Sequence, residues 1–177
     1  MRIYFSTTNT YAETTALAEV QPENILISYY YWKKKDLKKF VNNLGYKPNI
    51  LLDSGAYSAY TQGKNINILD YIEYIKENKF LIDNYINLDV IGNTEISYKF
   101  YEIMKLNYLN PIPVFHYGAE KRILEKYIIE GNKYICLGNT VHNFKGKKNK
   151  LARWINNLIY QYNNVNFHLL GKKKKKL

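Results

Sequence analysis

The chain has 177 residues, of which 46% are hydrophobic and 16% aromatic, with 26 Lys+Arg against 15 Asp+Glu and a single cysteine. That apolar fraction excludes general disorder, and no run of about 18 apolar residues is present to form a membrane-spanning helix. One cysteine excludes an internal disulfide and a multi-cysteine zinc cluster. The formal charge is +11, and taking away the five lysines of 172–176 leaves +6 for the remainder. Such a balance favours a polyanionic partner, although lysine-, asparagine- and tyrosine-rich usage also fits plain solubility or codon bias; charge alone leaves both open. The first residues, MRIYFSTTNTYAETT, lack the apolar stretch of a signal peptide, so a reducing, cytoplasmic setting is expected.

Short apolar runs alternate with helix-period segments along the chain. Strand 3–5 precedes helix 11–20, and strand 24–28 precedes helix 33–44, which Gly45 ends. Strand 50–52 follows Pro48 and Asn49, and helix 68–76 carries Ile68, Leu69, Ile72 and Ile75 at helical spacing. Strand 84–90 leads to helix 95–106, strand 112–115 to helix 120–129, and strand 134–137 to helix 150–162. Strand 165–170 closes the series. No hairpin signal separates the seven strands. Runs such as ILL and YICL are apolar on both faces, as a parallel sheet covered by helices requires. Polar or glycine residues follow successive strands, which suits a β/α barrel better than a doubly wound sheet, because all strand ends of a barrel ring one mouth. The expected architecture is therefore α/β, a TIM-type β/α barrel one strand short. It spans residues 1–171, with 172–177 as a basic low-complexity tail.

Four strand-end segments carry candidate chemistry. In LLDSGAYS, Asp53 ends a buried strand, Ser54 can donate a hydrogen bond, Gly55 allows close backbone approach, and Tyr57 offers a stacking face. An Asx turn or a helix N-cap explains the same residues equally well. In YINLDVIG, Asp89 ends the next strand; a buried carboxylate needs a partner, and a base edge would supply one. Its alternative is again an N-cap, for which Asn93 and Thr94 compete. In PIPVFHYG, His116 and Tyr117 end a strand as pocket-lining or purely structural residues. In YICLGN, Gly138 presents bare backbone, and Cys136 reads as a small buried residue rather than a nucleophile. Two basic clusters accompany these: Lys33, Lys34 and Lys35 after the aromatic run YYYW, and KGKKNK with Lys147 and Lys148. Aromatic faces beside lysines suit stacking and phosphate contact; solvated surface explains them as well.

Taken together, the segments LLDSGAYSAY (51–60), YINLDVIGN (85–93), NPIPVFHYG (110–118) and YICLGNTV (134–141) resemble the queuine and archaeosine tRNA-guanine transglycosylase superfamily, most closely its short phage-type relatives. The resemblance implies a β/α barrel that exchanges guanine in a nucleic acid for a 7-deazaguanine through a covalent aspartyl–ribose intermediate. Asp53 is then similar to the acid/base aspartate, and Asp89 to the aspartate that reads the guanine edge. His116 stands where a glutamine contacts the base, and Gly138 resembles a pocket-lining glycine. Ser54, Gly55, Tyr57 and Tyr117 complete the base pocket, with Lys33, Lys34, Lys35, Lys147 and Lys148 toward nucleic acid.

The chain departs from that pattern in one important place. The family nucleophile lies on a strand beyond the one resembling 165–171, where this chain has lysines, and the family zinc cysteines are missing. The resemblance thus implies a truncated, weakly active enzyme of host cytoplasm, acting on tRNA or DNA guanine. The other reading is a catalytically inactive base- or nucleic-acid-binding remnant. No cofactor, metal or membrane is called for, and an open barrel edge offers a route to homodimerisation. An unrelated barrel enzyme for a small phosphorylated substrate fits less well, since no phosphate loop follows the seventh strand.

Overall fold

The computed structural model describes residues 3–171, apart from the side chains of Val141 and His142; the lysine tail lies outside the described residues. Seven strands alternate with nine helices among them: β1 Phe5–Thr7, α1 Tyr11–Val20, β2 Asn24–Ser28, α2 Tyr29–Trp32, α3 Leu37–Leu44, β3 Asn49–Asp53, α4 Ala56–Thr61, α5 Ile68–Glu77, β4 Asn84–Tyr85, α6 Thr94–Leu106, β5 Val114–His116, α7 Lys121–Ile129, β6 Tyr134–Gly138, α8 Thr140–Asn143, α9 Lys148–Gln161 and β7 Asn166–Leu169. Every pairing is parallel. Strands β1 to β4 form one sheet in sequential order and β5 to β7 another. A parallel bridge between Ile86 and Ile112 joins the two, supported by Asn87 N–H to the Ile112 carbonyl (2.8 Å) and Ile112 N–H to the Tyr85 carbonyl (2.9 Å). The protein is thus an α/β protein of alternating strands and helices in parallel sheets.

Alternation along the strands explains why the sequence reads apolar on both faces. Ile25 and Ile27 of β2, with Ile50 and Leu52 of β3, pack under the helices beside Trp32, Phe40 and Tyr71. Ile135 and Leu137 of β6 do the same beside Leu124 and Tyr127. The residues between them face the other way. Leu51, Ile86, Val114 and Cys136 form one buried cluster, onto which Tyr4, Leu26 and Leu170 also pack. This inner cluster draws on or beside every strand from first to last. At its far side the Tyr4 ring meets His168 edge-on at 5.5 Å, although among the described residues no ladder pairs β1 with β7.

The first strand, the second helix and the fourth strand differ from the sequence reading, with smaller shifts at other element ends. The first strand runs over Phe5–Thr7 rather than 3–5, because the Glu13 carboxylate gathers Thr7 Oγ1 (3.2 Å) and the backbone N–H groups of Thr8 (3.0 Å) and Thr10 (3.1 Å), fixing the chain there. The segment read as helix 33–44 begins only at Leu37. Asp36 caps it by accepting from Lys39 N–H at 2.8 Å, and the aromatic run before it is the separate short helix α2. The strand read as 84–90 shortens to Asn84–Tyr85 plus the bridge at Ile86, since the chain beyond turns toward α6. Short helices α4 and α8, directly after β3 and β6, carry too little apolar periodicity to be read from sequence.

Candidate functional site

The carboxyl ends of β3, β5 and β6 and the segment after β4 bring Asp53, Asp89, His116 and Gly138 together. Asp53 lies opposite Ser28 in the β2–β3 register, and His116 opposite Gly138 in the β5–β6 register. Asp89 is held by the turn that leads into α6. Asn93 caps that helix by accepting from Ile96 N–H (3.0 Å), while Ser97 Oγ accepts from Val90 N–H (2.8 Å). Asn87 Nδ2 donates to the Ser97 carbonyl (2.8 Å). Asp89 is therefore not the cap of α6, and its carboxylate points elsewhere.

That carboxylate meets His116. Asp89 Oδ2 lies 2.7 Å from His116 Nε2, and the two residues are only 7% and 4% exposed. Ser54 Oγ donates to Asp89 Oδ1 across a longer 3.4 Å. Asp53 is half-buried; its Oδ2 accepts from Gly55 N–H at 3.1 Å, an Asx turn. Ser54 Oγ also accepts from Ala56 N–H at 3.3 Å. The turn reading of the DSG segment thus holds: Asp53 and Ser54 accept from the N–H groups that turn the chain from β3 into α4. Burial, with the nearby Asp89 charge, raises the Asp53 carboxyl to about 7, against the lowering effect of the Gly55 and Ser54 N–H groups. The same burial and the two carboxylates push the Cys136 thiol well up, so it stays protonated and unreactive at neutral pH.

Both glycines of the site are needed for space. Gly55 has φ +76°, and a Cβ there would come within 2.4 Å of Tyr30 Cβ and 2.5 Å of Ser28 Oγ. A Cβ on Gly138 would come within 2.5 Å of His116 Cδ2. The close approach each permits is to its own protein neighbours. Beside His116 opens a cleft of about 350 Å³, lined by Gly92, Thr94, His116, Tyr117, Gly118, Ala119, Asn139 and Asn143. Tyr117 forms its aromatic wall, edge-on to Phe144 (4.4 Å) and Trp154 (5.2 Å), and Lys150 Nζ stands 5.9 Å from its ring.

Other predicted residues are more dispersed. Tyr57 lies 40% exposed on α4. Lys35 is drawn inward: its ammonium donates to the Thr8 carbonyl and sits 5.5 Å from the Trp32 ring. Lys33 and Lys34 stay exposed, Lys33 5.8 Å from Tyr30, and Lys147 and Lys148 are exposed with Lys150 at the N-terminal end of α9. The sequence reading missed Tyr71, which is fully buried, donates to the Ile86 carbonyl (2.8 Å) and feels both site carboxylates. It also missed the cleft residues Thr94, Asn139 and Asn143. Asn139 offered one signal: an Asn after a strand-end glycine, which here adopts φ +57° and donates to the Tyr117 carbonyl at 3.2 Å. Among the described residues no group of His, Cys, Asp and Glu forms a metal site, and no helix is long and apolar enough to cross a membrane.

The fold and site together define an α/β protein with a carboxylate–imidazole pair and a second carboxyl at the ends of parallel strands. In comparisons with known proteins, no family model, curated protein or solved structure matches the chain.

Proposed function

We propose that this protein binds guanine or a 7-deazaguanine, free or in tRNA or DNA, on a transglycosylase-like β/α barrel. The observation that carries the reading is the Asp89–His116 pair at 2.7 Å with the Asp53 carboxyl beside it at the strand ends. A flipped base must be held by its polar edge and its faces, and this cleft offers the His116 imidazole, backed by Asp89, next to an aromatic wall. A carboxyl titrating near 7 can give or take a proton at neutral pH, as an acid/base group requires. Sequential parallel order and one inner cluster fed from every strand support the barrel, with the Tyr4–His168 contact spanning its gap. The exposed lysines beyond α2 and at the start of α9 supply contacts for phosphates.

Base exchange also needs a carboxylate free to attack the anomeric carbon. Asp89 is engaged by His116 and Ser54, and Asp53 has the acid/base role, so this geometry favours binding over efficient exchange. Calorimetric titration with guanine and 7-deazaguanine, beside incorporation of labelled guanine into tRNA and DNA, tests this. The expected result is binding that His116→Ala weakens about tenfold, equivalent to roughly 1.4 kcal/mol, with exchange slow or undetectable. Absence of binding to the bases and to both nucleic acids overturns the function; robust exchange lost in Asp53→Asn restores the enzyme.

A further inference from the structure

We propose that His116 is held with its proton on Nε2 and with Nδ1 as the acceptor that the cleft presents to its ligand, Asp89 and Gly138 serving behind it as positioning residues. A carboxylate can only accept, so a neutral imidazole 2.7 Å from Asp89 Oδ2 through Nε2 carries its one proton on that nitrogen and leaves a lone pair on Nδ1. No hydrogen bond among the described residues engages Nδ1.

The ring's orientation is set from its other side. A Cβ on Gly138 would lie 2.5 Å from His116 Cδ2, 2.9 Å from Nε2 and 2.9 Å from Val114 Cγ1. Gly138 is not among the residues with positive φ, so its backbone is one any residue adopts; glycine stands there for room alone. The Cδ2–Nε2 edge thus rests over Gly138, and the edge bearing Nδ1 turns away from β6. The cleft is lined by His116 but by neither Asp53 nor Asp89. A ligand in it therefore meets the imidazole before either carboxylate. What Nδ1 accepts is an N–H or O–H of the ligand. That this donor is a guanine N–H rests on the function proposed above.

Histidine ¹⁵N correlation spectra at pH 8, assigned with His116→Asn, provide the test. The wild-type ring is expected as the Nε2–H tautomer. Asp89→Ala and Gly138→Ala are expected to mix the tautomers while the His168 pattern, set by Tyr134 Oη 3.2 Å from its Nδ1, stays unchanged. Added guanine is expected to shift Nδ1 and leave Nε2 in place. A wild-type ring protonated on Nδ1 or on both nitrogens overturns the proposal, as does a pattern indifferent to both substitutions. Guanine that binds without moving Nδ1 also overturns it and leaves base binding standing. If guanine does not bind, the guanine reading falls and the tautomer with its response to substitution decides the proposal alone. Should Gly138→Ala fail to fold, the wild-type spectrum and Asp89→Ala decide it.

Discussion

Asp53 and Asp89, close together in the fold, have different surroundings. Asp89 has the His116 imidazole at 2.7 Å, whereas Asp53 has backbone N–H groups and the Asp89 carboxylate nearby. The consequence for Asp53 is a pH effect with a definite sign. In the unfolded chain its carboxyl titrates near 3.8; in the fold it holds its proton to about 7. Between those values the folded state binds more protons, so this group lowers stability progressively as pH rises from 4 to 7, and the loss is complete above 7. Asp53→Asn cannot ionise and keeps an oxygen for the Gly55 N–H. It is expected to raise stability at pH 8 by on the order of 2 kcal/mol and leave it nearly unchanged at pH 4. Urea titrations of both proteins at pH 4 and pH 8 check this; an equal difference at the two pH values rules out the raised carboxyl.

The turns on either side of β3 carry glycines that are not equivalent. Gly45, ending α3, and Gly55, opening α4, have nearly the same φ of +72° and +76°. Alanine at either incurs the left-handed backbone cost of about 1–2 kcal/mol. At Gly45 nothing lies within 4 Å of the new methyl, so that is the whole effect. At Gly55 the methyl would meet the Cβ of Tyr30 at 2.4 Å and Ser28 Oγ at 2.5 Å, forcing α2 away from α4. Gly55→Ala is expected to cost about 3 kcal/mol or more and Gly45→Ala no more than about 2 kcal/mol. Denaturant midpoints for the pair check it, and equal losses mean that the α2–α4 packing yields freely. The DSG turn thus joins two duties, placing Asp53 and letting the aromatic segment after β2 pack against the start of α4.

Over the molecule as a unit, charge is the dominant long-range property. Removing the lysines of 172–176 takes the formal charge from +11 to +6. Nucleic-acid affinity is expected to fall by a similar factor for every sequence tested. The slope of log affinity against log salt should flatten by about 0.9 for each duplex phosphate that the shortened chain no longer neutralises. Binding of the full and shortened chains to tRNA and duplex DNA, measured from 50 to 200 mM salt, checks this; an unchanged slope makes the tail a bystander. Weakening confined to one sequence would instead point to base recognition.

The order and type of most elements follow from the residues alone. Apolar periodicity is a local property, and two-sided apolar runs such as ILL and YICL admit little but buried parallel strands. Asp53 at the end of β3 and His116 at the end of β5 are equally legible, because a polar residue after such a run marks where the strand leaves the core, whereas Asp89, expected to end a strand, lies on the segment beyond β4. What the carboxylates and glycines do there depends on the folded arrangement. Asp89 and His116 are separated by 27 residues, and each alone reads equally well as a cap or a structural residue. Only the parallel stacking of β4, β5 and β6 brings the two side chains into contact, with Gly138 under the ring. The first strand's shift to Phe5–Thr7 has the same origin: apolar pattern chose Ile3, but the donors gathered by Glu13 and the pairing with β2 chose Thr7. Periodicity reports which way a side chain faces, whereas a hydrogen bond across strands depends on register and on empty space beside it, and neither is encoded locally.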